Sequence, residues 1–278
     1  MNLIKKRKIG FIGSGNMAQA IIRALIDSKS VEPGMISVTN RSPGKLKKVV
    51  ETLGIIPVGT NEELVDSSEI IILGVKPQDL AQVLEPIASA FQSQHLVISL
   101  AAGFSTTTLQ KLIPNAGGIA RAMPNTPATI QKAVVGYCLA AGSEAYAGTV
   151  EDFLQPLGLV VPAEEGDGFE ALTVSCGSGT AFVFELMQYW QEWIEEHGFE
   201  PGVARQMVVQ TFLGAAAMVE QHESTPISDL QDRVVSKKGV TDAGLQSMRE
   251  LELERVLRYS FEKASLREQE ISRGTAKQ

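Results

Sequence analysis

Short apolar runs alternate with amphipathic stretches through the first half of the chain, and polar or glycine-containing turns separate them. Five runs predict buried β-strands: IGFI (9–12), ISVTN (36–40), IIPV (55–58), EIIILGV (69–75) and HLVISLAAG (95–103). The stretches between them predict helical segments that begin at Asn16 and cover residues 45–53, 61–65, 80–91 and 107–112. Strands that alternate with helices at these spacings are typical of a parallel, doubly wound sheet.

The second half of the chain has a different pattern. From Phe169 onward the sequence carries no strand signal, and long amphipathic segments predict helices over residues 179–197, 201–222 and 241–268. The acidic, turn-prone segment AEEGDG (163–168) predicts a linker, so we expect two domains, residues 1–163 and 164–278. Small residues in TFLGAAAMV (211–219) allow close helix packing, either inside the domain or across a subunit boundary.

The segment KIGFIGSGNMA (8–18) carries the main functional signal. A buried strand runs into a glycine-rich turn and then a helix, with Gly13, Gly15 and Ala18 in a GxGxxA pattern. Gly13 permits the tight turn, Gly15 lets a pyrophosphate approach the backbone, and Ala18 keeps the helix close to its strand. The N–H groups of the helix that begins near Asn16 then face the phosphates. The pattern predicts a dinucleotide-binding domain; a purely structural glycine turn is the alternative.

The residue at the end of the second strand of such a domain faces the adenosine ribose and selects the nicotinamide cofactor. An acidic residue there would bind the 2′-hydroxyl and repel a 2′-phosphate. This chain has Asn40, Arg41 and Ser42 instead, which supply a cation and neutral hydrogen-bond donors. We therefore expect NADPH as the cofactor, with NADH as an alternative. The competing interpretation is a surface loop that happens to hold an arginine.

Three further segments follow predicted strands, at the edge where open α/β sheets bind ligands. They are GVKP (74–77), LAAG (100–103) and ARAMPNTPA (120–128), and we expect them to line one crevice. Pro124 and Pro127 stiffen the backbone around Asn125, which would aim the Asn125 side chain at the nicotinamide. An ordinary proline-rich loop and, at Lys76, an ordinary strand-end lysine are the alternatives.

Composition excludes several other classes of protein. The formal net charge of −7 argues against a nucleic-acid surface, and no run approaches the roughly 18 apolar residues that span a bilayer. The basic start at Lys5–Lys8 fails as a secretory signal because polar residues such as Asn16 and Arg23 interrupt the apolar stretch. We expect a cytoplasmic protein that acts on a small molecule, without nucleic-acid or membrane partners.

Cysteine and histidine usage predicts no metal site. The two cysteines, Cys138 and Cys176, are too few for a disulfide framework or a four-cysteine zinc site, and we expect them to be small buried residues. The three histidines are isolated, without partners at the spacing of metal ligands. No GxSxG motif or serine, histidine and aspartate grouping suggests nucleophilic catalysis.

Several segments occur in the order seen in pyrroline-5-carboxylate reductases. They are KIGFIGSGNMA, TNRS, GVKPQ, SLAAG, RAMPNTPA, CGSGTAF (176–182) and VVSKKGVTDAGL (234–245), which together cover nearly the whole chain. The chain therefore resembles this family. The resemblance implies reduction of the cyclic imine 1-pyrroline-5-carboxylate to L-proline with NAD(P)H. It also implies an N-terminal Rossmann-like doubly wound sheet, an all-α C-terminal dimerisation domain, and a homodimer that assembles further through the helical domains.

The resemblance further implies which residues bind the cofactor and the substrate. With Asn40 and Arg41, the cofactor-binding set comprises Ile12, Gly13, Ser14, Gly15, Asn16, Met17, Ser42, Asn61, Gly74, Val75, Lys76, Pro77, Ala101, Ala102 and Gly103. The substrate-binding set comprises Ser236, Gly239, Val240, Thr241, Asn125 and Ser178. Backbone N–H groups near Ser236 and Gly239 would hold the substrate carboxylate. Thr241, the catalytic candidate, would hydrogen-bond the ring nitrogen.

Two segments depart from the family pattern. The usual SPGGTT is SKKGVT (236–241) here, and if Lys238 takes a left-handed glycine conformation the loop must change shape or accept strain. The usual GSGPAY is GSGTAF, in which we expect Thr180 to cap the helix. The alternatives are a divergent paralogue, active on another cyclic imine or retained as a nucleotide-binding regulatory protein, and a hydroxyacid dehydrogenase that uses Lys237 or Lys238 for proton transfer.

Overall fold

The structure is a computed structural model that describes residues 2–275, with side chains through Ile271. Within this range eight strands form one sheet. They are β1 (Ile9–Ile12), β2 (Ile36–Thr39), β3 (Ile56–Pro57), β4 (Ile70–Leu73), β5 (Leu96–Ser99), β6 (Gly118–Pro124), β7 (Ala133–Leu139) and β8 (Gly158–Pro162). The α-helices are α1 (Asn16–Asp27), α2 (Pro43–Leu53), α3 (Asn61–Ser67), α4 (Pro77–Leu84), α5 (Thr106–Leu112), α6 (Ala147–Leu154), α7 (Asp167–Leu172), α8 (Gly179–Glu196), α9 (Pro201–Gln221), α10 (Ile227–Arg233), α11 (Val240–Glu250) and α12 (Leu253–Thr275).

The sheet has the strand order β3-β2-β1-β4-β5-β6-β7-β8. Strands β1 to β6 are parallel, β7 is antiparallel to β6, and β8 is parallel to β7. The predicted Rossmann-like doubly wound sheet is confirmed. The prediction omitted β6, β7 and β8, so the sheet departs from an all-parallel arrangement at one edge. The strand order reverses between β1 and β4, which is the position where such sheets bind ligands.

Strand β4 is apolar along its whole length because helices cover both faces of the sheet. In β4, Ile70 and Ile72 pack into one core cluster, and Ile71 and Leu73 pack into a second. The first cluster includes the apolar face of α1, and the second includes residues from α3, α4 and α5. This two-sided burial fixes the strands, and therefore the loops that leave their carboxyl ends.

The predicted helices over residues 179–197 and 201–222 are confirmed as α8 and α9. The single helix predicted over residues 241–268 is wrong, because Glu252 adopts a left-handed backbone with φ of 53° between α11 and α12. Neither glycine nor proline marks this break, so the amphipathic pattern runs through it. The predicted capping role of Thr180 is also wrong, since Thr180 is the second residue of α8 rather than the residue before it.

The chain divides into two compact units. The first contains the described residues up to Ser178 and those from Ala264 onward; the second is Gly179–Lys263. The end of α12 belongs to the first unit, where Nε2 of Gln269 donates to Oε2 of Glu170 at 2.9 Å. The domain ranges 1–163 and 164–278 stay a prediction; Met1 and residues 276–278 in those ranges lie outside the described residues.

The helical unit buries few side chains of its own. Its small core consists of Ile194, Ala204 and Val208, with Met187 and Phe212 packed against them. Many large apolar side chains of α8 and α9 remain exposed, including Phe184, Trp193 and Leu213. Exposed apolar surface of this extent indicates an interaction face. Between residues 2 and 275, no helix combines the length and the apolar character required to cross a bilayer.

Candidate cofactor and substrate site

The glycine turn between β1 and α1 has the predicted geometry. Gly13 has φ of 98°, a conformation that side chains rarely adopt, and a Cβ there would lie 2.9 Å from the carbonyl oxygen of Gly74. Ala18 is buried on α1, and a Cβ added at Gly74 would lie 3.4 Å from the Ala18 methyl group. Small residues at these three positions therefore bring the start of α1 close to β1 and β4.

Gly15 has a different role from Gly13. It precedes α1 with an ordinary φ of −67°, and a Cβ there would approach only the Gly74 oxygen, at 3.8 Å. No side chain among the described residues caps α1 at this position. The first N–H groups of α1 lack partners within the helix, as in any α-helix, and the absence of a side chain at Gly15 leaves open space beside them. This combination suits a phosphate.

The loop after β2 is fastened to the glycine turn. The Asn40 side-chain amide donates to Oγ of Ser14, and its oxygen accepts the N–H of Ser42 at 2.9 Å. Asn40 therefore positions this loop through contacts within the protein. Arg41 is exposed and forms no salt bridge in the described part of the chain, so its guanidinium group is available to a ligand.

A cleft of about 1000 Å³ follows the glycine turn and the loop after β2. Among the described residues, five cations and one acidic residue, Asp79, line it, although the formal net charge of the chain is −7. The cations are Arg23, Arg41, Lys45, Lys48 and Lys76. An anionic dinucleotide fits a cleft of this charge.

The cleft gathers most of the predicted cofactor-binding residues. Those that line it are Ile12, Gly13, Ser14, Gly15, Asn16, Asn40, Arg41, Ser42, Asn61, Gly74, Val75 and Lys76. Met17, Pro77, Ala101, Ala102 and Gly103 are not part of its lining. Sequence reasoning missed Arg23, Lys45 and Lys48; the spacing of the two lysines three residues apart on α2 was the available signal.

The loop of residues 100–103 lies beside the loop of residues 74–77 at the same edge of the sheet. β4 and β5 are parallel neighbours, and the N–H of Leu100 donates to the carbonyl oxygen of Leu73 at 3.1 Å. The two loops therefore leave the sheet together, as the sequence predicts for segments that follow neighbouring parallel strands.

The Asn125 side chain forms hydrogen bonds within the protein at both ends of its amide group. The side chain is largely buried; Nδ2 donates to the carbonyl oxygen of Cys176 at 3.0 Å, and Oδ1 accepts the N–H of Val134 at 3.0 Å. Both ends of the amide thus hold neighbouring segments together. Ser178, the other candidate in this unit, is exposed at the end of a π-helical segment, Thr173–Gly177, an uncommon geometry that is frequent near functional sites.

In the helical unit, the segment of residues 236–241 comprises a loop, residues 236–239, and the first two residues of α11. Lys238 has φ of 58°, so the loop accepts the left-handed conformation without a glycine. The Lys238 N–H donates to Oδ2 of Asp242 at 2.9 Å, and the Gly239 N–H donates to the carbonyl oxygen of Ser236 at 2.8 Å. Val240 and Thr241 are the first two residues of α11, and both are exposed.

The two cysteines are free thiols with different environments. Burial raises the pKa of Cys138 to about 11, with a further increase from the nearby charge of Glu165, so its thiol stays protonated at neutral pH. Cys176 is partly buried rather than fully buried as predicted. Across the described residues, no group of histidine, cysteine and acidic side chains is arranged to hold a metal ion.

Comparison with known proteins identifies relatives along nearly the whole chain. Residues 167–271 match the family model described as pyrroline-5-carboxylate reductase dimerisation, and residues 8–103 match the model described as NADP oxidoreductase coenzyme F420-dependent. The pyrroline-5-carboxylate reductase of Pasteurella multocida is 32% identical over 97% of this chain and 99% of its own. That of Haemophilus influenzae is 35% identical over 87% of this chain and 89% of its own.

Solved structures agree with these matches. The chain resembles the structure of a pyrroline-5-carboxylate reductase from Coxiella burnetii with a TM-score of 0.89 and 31% identity, covering 96% of this chain and 99% of that one. It has the fold of the Plasmodium falciparum pyrroline carboxylate reductase, solved with NADP bound, with a TM-score of 0.86, 23% identity and the same coverage of each chain.

Replacing Gly15 and Gly13 separates ligand binding from folding. Gly15→Ala is expected to leave the thermal unfolding midpoint near that of the wild type, because the added methyl group meets no close protein atom. Its dinucleotide affinity should fall on the order of tenfold or more, since the methyl group occupies the space beside the first N–H groups of α1. Gly13→Ala is expected to destabilise the fold, because of its positive φ and the contact with Gly74. Thermal unfolding and fluorescence titration with NADPH measure the two effects; unchanged affinity in Gly15→Ala contradicts the assignment.

Lys238→Gly should stabilise the protein. A left-handed residue costs roughly 1–2 kcal/mol, and the greater unfolded-state freedom of glycine cancels about half of the gain. We expect a net increase of roughly 0.5–1 kcal/mol in the free energy of unfolding, measured with urea at one protein concentration. Lys237→Gly is the control: Lys237 has no positive φ, so that variant should be destabilised. A loss of stability in both variants would show that Lys238 carries no strain.

Proposed function

The chain belongs to the pyrroline-5-carboxylate reductase family, and we propose from this premise that it reduces 1-pyrroline-5-carboxylate to L-proline by hydride transfer from NADPH. As a member of the family it is an NAD(P)H-dependent oxidoreductase. The observation that carries the proposal for this chain is the cationic cleft at the glycine turn, in a protein whose formal net charge is −7. The cytoplasm as the place of this reaction is part of the proposal.

The residues of the cleft fit a dinucleotide phosphate. Gly15 leaves open space beside the first N–H groups of α1, where the pyrophosphate would bind. Arg41 and the cations of α2 would bind the 2′-phosphate, and the loop after β2 presents no carboxylate that would repel it. Asn40 holds that loop against Ser14, so both phosphate-binding segments are positioned before the ligand arrives. When bound, the nicotinamide would supply the hydride.

The substrate assignments rest on the loop that begins α11. The Gly239 N–H is already bonded to Ser236 and the Lys238 N–H to Asp242. The N–H groups of Val240 and Thr241, at the N-terminus of α11, remain to bind the substrate carboxylate. The Thr241 hydroxyl would hydrogen-bond the ring nitrogen and hold the amine as its positive charge disappears, a role of positioning more than of acidity.

The chain self-associates through its helical part, as the match to the dimerisation family indicates. The apolar side chains exposed on α8 and α9 are the surface that such a contact would bury. A homodimer, with further assembly of dimers, is the form that we propose. A second candidate function, reduction of another cyclic imine, is favoured by the Lys237 and Lys238 charges in the substrate loop.

Turnover of the imine by Thr241 variants tests this function. The wild type should oxidise NADPH when 1-pyrroline-5-carboxylate is added, and faster than with ring analogues. Thr241→Ala should lower kcat about a hundredfold with nearly unchanged NADPH affinity, because it loses the hydroxyl at the reacting nitrogen. Thr241→Ser keeps the hydroxyl and should retain most activity. An inactive wild type beside a working control reductase would refute the function, and a fully active Thr241→Ala would refute the role of the threonine.

Arg41→Ala should change cofactor preference. Loss of a charge-assisted hydrogen bond to the 2′-phosphate should raise KM for NADPH on the order of tenfold to a hundredfold and leave KM for NADH nearly unchanged. The matched control is Lys111→Ala, which removes an exposed cation of α5 outside the cleft. Steady-state kinetics with both cofactors measure the ratio. Equal effects of Arg41→Ala on NADPH and NADH would contradict the phosphate contact.

A further inference from the structure

The side chain of Glu165, in the segment between β8 and α7, binds residues distant in sequence. Both carboxylate oxygens accept the N–H of Thr106 at 3.0 Å, and Oε2 also accepts the Thr106 hydroxyl. Oε1 accepts Nη1 of Arg121 at 2.7 Å. Thr106 is the first residue of α5, whose own capping residue, Ser105, bonds the N–H of Thr108 at 3.0 Å. Glu165 therefore satisfies a second N–H group at the start of this helix.

Arg121 holds the Glu165 carboxylate in place. Its side chain is 7% exposed, and its guanidinium carbon lies 4.4 Å from the centre of the Phe169 ring. Within the described residues, Nε and Nη2 of Arg121 have no hydrogen-bond partner, and Glu165 is the acidic residue in its salt bridge. Separating this pair would leave a buried charge uncompensated, which costs far more than the loss of a surface ion pair.

The pair is connected to both ends of the loop of residues 100–105. The loop leaves β5 after Ser99, which is paired with Arg121 in the register of β5 and β6. It ends at Thr106, which Glu165 binds. Between these ends, the N–H of Ala101 donates to Oγ of Ser99 at 3.3 Å, and Gly103 takes a left-handed φ of 79°. The conformation of the loop therefore depends on two fixed ends.

We propose that Glu165 is a positioning residue for the dinucleotide: its carboxylate, held by Arg121, fixes the start of α5 and with it the loop of residues 101–103, which the family resemblance assigns to the cofactor. The inference rests on the proposed function, which places the dinucleotide in the cleft lined by Gly74–Lys76, and the loop of residues 100–103 leaves the sheet beside that segment. The contacts of the Glu165 carboxylate are with Thr106 and Arg121, so the proposed effect on the ligand is indirect. Glu165 acts through the Thr106 N–H, so its effect should follow the hydrogen bond that it accepts rather than the charge that it carries.

Three variants and one control isolate this effect. Glu165→Leu removes both contacts and should weaken NADPH binding and lower kcat, each on the order of tenfold, since a small displacement of a binding loop has effects of this size. Glu165→Gln retains an oxygen for the Thr106 N–H and should stay within about threefold of the wild type. The double variant Arg121→Met/Glu165→Leu removes the buried charge together with its partner, so its thermal unfolding midpoint should return toward that of the wild type. The control is Glu164→Gln, an exposed neighbouring carboxylate.

The double variant separates positioning from stability. If Glu165 positions the loop, the double variant regains stability while its NADPH affinity and kcat remain as low as in Glu165→Leu, and Glu164→Gln is unaffected. If affinity and kcat recover together with stability, Glu165 is merely structural and the inference is wrong. NADPH affinity is measured by fluorescence titration without imine. If the wild type does not reduce the imine but the variants show the expected pattern of NADPH affinity, the proposed reaction is overturned and the inference is supported. If the wild type is active and Glu165→Leu has unchanged NADPH affinity and kcat, the inference alone is overturned.

Discussion

The close approach of two backbone segments, at Gly13 and Gly74, is the constraint on which the cofactor half depends. The Gly13 N–H donates to Thr39 at 3.1 Å and the Gly74 N–H donates to Ile12 at 2.9 Å, so the turn continues the hydrogen bonding of β1 toward both neighbouring strands. A Cβ at Gly13 would collide with Gly74. The tight turn places the N-terminus of α1 at the carboxyl edge of the sheet, beside Gly15. The packing that closes the fold therefore also opens the phosphate site.

The charge that a bound dinucleotide would meet is the charge of the cleft rather than the net charge of the chain. A formal net charge of −7 would by itself repel a dinucleotide phosphate, but screening limits that repulsion to about 10 Å at ordinary salt concentrations. Inside the cleft the balance is reversed, since its lining, as far as the chain is described, holds five cations and one carboxylate. Arg41, Lys45 and Lys48 are close in sequence, in the loop after β2 and in α2, whereas Arg23 comes from α1 and Lys76 from the loop after β4. The fold brings Arg23 and Lys76 to this group, so the cleft is cationic although the formal net charge of the chain is negative.

The sequence predicts best those elements whose hydrophobic and glycine pattern is compatible with only one type of secondary structure. The apolar run of Ile70–Leu73 can only be buried on both faces, and a glycine turn followed by AQAIIRALI can only begin a helix there. By contrast, Glu252 breaks a helix without glycine or proline, because a left-handed conformation is determined by the surrounding structure. The sequence predicts that Asn125 faces the nicotinamide, and its contacts with Val134 of β7 and with Cys176 of the π-helical segment depend on tertiary structure that no local pattern shows.

The segment SKKGVT (236–241), which departs from the family pattern SPGGTT, shows what such a departure does to local structure and charge. A chain without glycine at a left-handed position must change shape or accept strain, and Lys238, with φ of 58° and an N–H bonded to Asp242, shows that this loop accepts strain. The departure from the family pattern also adds charge. Two lysines lie just before the N-terminus of α11, where the helix dipole is already positive. We therefore expect the two added charges to strengthen the attraction of anionic groups to this end of the loop, an electrostatic effect that a neutral loop of the same shape would lack.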